Sequence, residues 1–143
     1  MEATISRNSL PAVNHGRSRA GTTIGVDGFP IISYFDFTNA DMKVVKCDDV
    51  ACAPGGETLT TVDSAGSVGS YNSLALGSDG FPVISYFDNT NQDLKVVKCN
   101  DAACEFGGET FTTVDSAGDV GNFTSLAIGG DGSLSIAQQL HDH

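Results

Sequence analysis

Gly77-Ser78-Asp79-Gly80-Phe81-Pro82-Val83-Ile84-Ser85-Tyr86-Phe87-Asp88 decides the fold, because the chain contains it twice. The earlier copy is Gly25-Val26-Asp27-Gly28-Phe29-Pro30-Ile31-Ile32-Ser33-Tyr34-Phe35-Asp36. Gly129-Gly130-Asp131-Gly132 opens a third copy that then loses the pattern. The offset is 52 residues each time. A fixed period of that length marks a repeat architecture, in which each unit stacks on its neighbours to bury a face it cannot bury alone. Residues 25–72 match residues 77–124 without a gap at 34 of 48 positions. Duplication explains that identity by itself, so a residue shared by both copies is not thereby functional.

Within one unit the pattern predicts four short strands. Ser73-Leu74-Ala75-Leu76 alternates small and large residues. Asp79-Gly80 is a tight-turn signal, and Pro82, which cannot donate in a ladder, marks where the next strand starts. Val83-Ile84-Ser85-Tyr86-Phe87 is β-branched and aromatic on both faces, the composition of a strand buried on both sides. A turn of short polar residues, Asp88 to Asp93, leads to Leu94-Lys95-Val96-Val97-Lys98-Cys99, with a lysine on each face. Thr110-Phe111-Thr112-Thr113-Val114 closes the unit as a Thr-rich, exposed strand. Polarity rises from first strand to fourth, which suits a propeller blade whose first strand lines the centre. The expected fold is all-β, with β-propeller-type blades of four antiparallel strands in about two and a half repeats of 52 residues, an incomplete propeller. Residues 1–21 are expected to be an irregular lead-in, 22–70 the first blade, 71–122 the second and 123–143 part of a third. A β-solenoid is the other architecture considered, but its coils have a shorter period.

Asp-Gly-Phe-Pro-(Ile/Val)-Ile-Ser-Tyr-Phe-Asp at 27–36 and 79–88, followed by Asp-(Met/Leu)-Lys-Val-Val-Lys-Cys at 41–47 and 93–99, resembles the repeats of large bacterial multi-repeat β-propeller proteins. These are similar to sialidase-type propellers. The likeness covers roughly residues 22–132 and implies a propeller fold. The sialidase Asp-box, Ser-x-Asp-x-Gly-x-Thr-Trp, has no match, since the chain contains no Trp.

The hydrophobic share of 40% is that of a folded chain. Eighteen acidic residues face seven basic ones, for a net charge of −11. Arg7, Arg17 and Arg19 lie in the first twenty positions, so the repeats keep only Lys43, Lys46, Lys95 and Lys98 as cations. Such a surface repels phosphate backbones, and nucleic acid is not an expected partner. No apolar run approaches the roughly 18 residues of a membrane span, and the N-terminus lacks the apolar segment of a secretory signal.

Four cysteines recur as Cys-x-x-x-x-Cys, at Cys47/Cys52 and Cys99/Cys104. A disulfide within each repeat, formed in an oxidising compartment, is the expected reading and places the protein at the cell surface or outside the cell. A four-cysteine zinc site is the sharper alternative, although its pairs are normally closer in sequence. Free thiols are the third. The turns at 36–41 and 88–93 carry oxygen ligands, but without the ligand order or glycine of an EF-hand loop, so capping of their own backbone is expected. Glu57, Glu109, Asp63 and Asp115 suggest paired carboxylates for glycoside hydrolysis, yet they recur once per unit and read as solvated turn acids. Tyr34, Asp36, Tyr86 and Asp88 are the candidate ligand-binding residues, with the tyrosines otherwise packed between blades. His15, His141 and His143 lie outside the repeats. No metal or organic cofactor is expected.

The expected function is a non-catalytic binding or scaffolding module of a larger extracellular propeller protein, taking carbohydrate or protein. The alternative is a fragment of a sialidase-like glycoside hydrolase. Roughly four to eight blades close a propeller. Two and a half should leave an apolar face open at each end, to be covered by further blades or by copies of the chain, most simply in a head-to-tail trimer.

Overall fold

The computed structural model describes residues 3–8, 20–105, 107–117 and 122–139. Among them are eleven strands: β1 (Ala3–Asn8), β2 (Gly21–Ile24), β3 (Pro30–Asp36), β4 (Asp41–Lys46), β5 (Thr58–Asp63), β6 (Val68–Leu76), β7 (Pro82–Asp88), β8 (Asp93–Lys98), β9 (Thr110–Asp115), β10 (Asn122–Ile128) and β11 (Leu134–Gln139). They form three sheets, ordered β2-β3-β4-β5, β6-β7-β8-β9 and β1-β11-β10. The first two are antiparallel throughout, and their registers repeat with the sequence. Ile32 stands opposite Val45 as Ile84 stands opposite Val97. The described residues include no helix.

Local chemistry explains the hairpins. Between β2 and β3, the Gly25 N–H donates to the Phe29 carbonyl, and the Asp27 carboxylate accepts the Phe29 N–H at 3.0 Å. Gly28 sits at φ +84°, where a side chain would be strained. The same bonds recur at Gly77, Asp79 and Phe81, and again at Gly129, Asp131 and Ser133. The third turn therefore survives even where the strand after it has changed.

A bulge in each four-stranded sheet has a larger consequence. Met42 stands opposite Asp63 but Lys43 opposite Thr61, so β5 carries one extra residue there. Directly opposed residues share a face, so the bulge turns Asp63 to the Met42 side. Leu94 and Asp115 repeat the arrangement.

The sheets stack face to face. Ile31, Met42 and Val44 of the first sheet pack with Leu74, Ile84 and Val97 of the second. On its other face the second sheet packs Val83, Leu94 and Val96 against Leu134 and Ile136 of the third. Contact with the first sheet is close, since a Cβ on Gly69 would lie 2.6 Å from that of Met42. β7 is thus buried on both faces, and Ile84 and Tyr86 are both 0% exposed. The near-identical β3 alternates between buried and half-buried, because nothing among the described residues covers the outer side of its sheet. Ile32 and Tyr34, which the composition puts in the core beside Ile84 and Tyr86, are only half-buried for this reason.

One further expectation is corrected. Residues 1–21 are not wholly irregular, since Ala3–Asn8 is a strand paired in parallel with β11. β11 would otherwise present an open edge of unpaired N–H and carbonyl groups. Its partner comes from the opposite end of the chain, where no local pattern announces it. The outer face of the first sheet is apolar, with Ile24 55% and Leu59 59% exposed beside Ile32 and Val45. On the outer face of the third the described side chains are Ser125, Ala127, Ser135 and Ala137.

Candidate functional site

The densest polar cluster lies between the first and second sheets. Asp63, turned inward by the bulge, is 6% exposed. Its Oδ2 accepts the Tyr86 hydroxyl at 2.6 Å and pairs with Lys95 Nζ at 3.3 Å. Its Oδ1 accepts the Ala65 N–H at 3.0 Å. Lys95 also lies 5.8 Å from the Tyr86 ring centroid, a cation over an aromatic face. Every buried polar atom of this latch therefore has a partner. A second tie joins the same sheets, as Asn72 Oδ1 accepts the Gly21 N–H and, at 2.6 Å, the Ser33 hydroxyl.

Asp63 overturns one expectation. The sequence reads it, like Glu57, Glu109 and Asp115, as a solvated turn acid, but it is buried and holds two sheets together, and Asp115 is buried in the corresponding place. Glu57 is exposed as expected, and its carboxylate accepts the N–H groups of Gly55 and Gly56. The signal available in the sequence was Tyr86, a hydroxyl on a strand buried on both sides, which needs an acceptor from another strand.

Burial pushes the Tyr86 phenol well above its ordinary value of 10.0, and the bond to Asp63 adds to the shift. The sign follows from proton counts. Above about pH 10 the unfolded chain releases this proton while the native state keeps it, so stability falls by roughly 1.4 kcal/mol per pH unit. Denaturation curves between pH 9 and 11 should show this slope in the wild type. Tyr86→Phe should lose that part of it, and an unchanged slope would contradict the burial.

The cysteines form two disulfides, Cys47–Cys52 and Cys99–Cys104, and none is free among the described residues. Pairing uses all four sulfurs, so the zinc alternative has no thiolates left. In each loop the aspartate two residues after the first cysteine accepts N–H groups from the far side, Asp49 from Ala51 and Ala53 and Asp101 from Ala103 and Glu105. Intact-mass measurement should gain four hydrogens on reduction, and each loop bond should contribute about 2 kcal/mol.

The candidate ligand residues separate. Tyr86 and Asp88 are buried and present no surface to a ligand, because the neighbouring sheet covers them. Tyr34 and Asp36 lie half-buried on the uncovered side of the first sheet. Asp36 caps its own turn through Thr38 and Asn39, as Asp88 does through Thr90 and Asn91. Lys43 pairs with Asp36 at 2.9 Å and, with its turn bonds, holds that carboxyl far below the usual range. Among the described residues no three His, Cys, Asp or Glu side chains gather as a metal group would require. His15, His141 and His143 lie outside the described residues. Chemically, the polar groups between the sheets act as fasteners, since the phenol and carboxylate most favourably placed for proton transfer are sealed from solvent.

No protein-family model matches the chain, and no curated protein matches it.

Proposed function

We propose that this chain is a propeller-type repeat module that binds or scaffolds rather than catalyses, and that it works outside the cytoplasm. One observation carries the reading. Two four-stranded sheets with one strand order stack through their first strands, β6 lying against β2, β3 and β4, and β10 against β6 and β7. Radial repetition of such sheets is how a propeller limits its open edges. The two disulfides are consistent with an oxidising, extracellular setting. The resemblance of residues 27–47 and 79–99 to bacterial propeller repeats supports the same reading. Carbohydrate or protein is the proposed ligand class.

Small-angle scattering of chains lengthened by whole repeat units tests the architecture. A propeller stops growing in radius once roughly four to eight units close a ring. A solenoid lengthens with every unit. Turnover of fluorogenic glycosides by the purified chain, lost on substitution of a carboxylate, would overturn the non-catalytic part.

A further inference from the structure

The outer face of the first sheet repeats, position for position, a face that the molecule already shows covered. Thr22, Ile32, Val45 and Leu59 stand in one row across β2–β5, as Leu74, Ile84, Val97 and Phe111 do across β6–β9. Below the row, Tyr34 stands opposite Lys43 as Tyr86 stands opposite Lys95. In the second sheet this pair receives Asp63 from the sheet stacked on it. In the first sheet the Tyr34 hydroxyl makes no hydrogen bond to a described residue, and Lys43 leans back to Asp36. The same lysine thus takes two different partners according to whether a neighbouring sheet is present. Lys95 leaves Asp88 to its turn and goes to Asp63.

We propose that this open face receives one further sheet of the same repeat, whose closing aspartate docks on Tyr34 and Lys43. The proposal rests on the stacked-module reading above and names the surface and the chemistry of its partner. That partner presents an apolar row like Ile31, Met42 and Val44, followed by a bulge that turns a Val-Asp aspartate inward. Among the described residues a second copy of this chain does not supply it: its two such faces are already covered, and the described side chains on the outer face of its third sheet are Ser125, Ala127, Ser135 and Ala137. Within the row Thr22 stands for Leu74 and Leu59 for Phe111; beside it Ala20 stands for Asn72, and Phe37, 62% exposed, stands for Asn89. The last two changes replace asparagines by apolar residues, and leave Tyr34 and Lys43 as the polar fastener of the contact.

The test is a tandem chain with a second copy of residues 21–72 inserted before Gly21, which also restores an asparagine ahead of that glycine. Asp63→Asn made in the added copy alone should lower the folding equilibrium constant roughly tenfold or more when the Lys43 it faces is present. With that Lys43→Met the same substitution should lower it less than about threefold. Equal effects in both backgrounds, or an added copy that melts in a separate transition, would overturn the proposal. So would a dimer of the original chain that Leu59→Lys dissolves, because a second copy would then own the face. Scattering separates the two readings. A tandem chain that keeps the coupling but lengthens linearly retains this docking face and removes only the ring.

Discussion

Replacing Asp63 by alanine should destabilise the chain by roughly 3 kcal/mol, within the range for breaking a buried charged pair by removing one partner. Two groups are orphaned at once. The Tyr86 hydroxyl, on a fully buried side chain, loses its acceptor, and Lys95 loses the carboxylate that offsets its own burial. The lysine side chain retains 15% exposure and can turn its ammonium to water, which keeps the cost at the low end of the range. Asp63→Asn keeps an acceptor for the phenol but removes the charge opposite Lys95, and should cost about half as much. Glu57→Ala, on an exposed turn, is the control and should change stability by less than about 0.5 kcal/mol. Urea denaturation measures all three. If Asp63→Ala matches the control, the two sheets are not latched as described.

The second large effect is a contrast between equivalent residues. Ile84→Ala should cost roughly 2–5 kcal/mol, because its side chain is enclosed between two sheets that cannot collapse into the space left behind. Ile32→Ala removes the same atoms from the same place in the repeat, but on a half-buried face. It should cost about 1 kcal/mol, set by the smaller apolar area it covers. Both variants are measured by one denaturation experiment. Similar costs would mean that both faces are covered in solution, and the open face of the first sheet would no longer exist.

The hairpins were legible in the sequence because their hydrogen bonds are local. Asp27 and Gly28, like Asp79 and Gly80, carry within five residues the acceptor and the positive φ that their turn requires. The cysteine pairs were legible for the same reason, each closing a loop between residues five apart. Strand positions followed from Val, Ile, Tyr and Phe around those turns, and the 52-residue period gave the unit its boundaries. What no local pattern contained was the environment of each copy. Pro30–Asp36 and Pro82–Asp88 are nearly the same peptide, yet one alternates in burial and the other is enclosed, because a neighbouring sheet covers one and not the other. The inward turn of Asp63 depends on a bulge against β4, and its partners lie on β7 and β8. The pairing of β1 with β11 joins the two ends of the chain. Backbone hydrogen bonding between adjacent segments is settled by a few residues at a time, so sequence determined the four-stranded unit. Burial and charge pairing are settled by whatever surface arrives from elsewhere, so only the tertiary structure decided which tyrosine is locked and which stays half-buried.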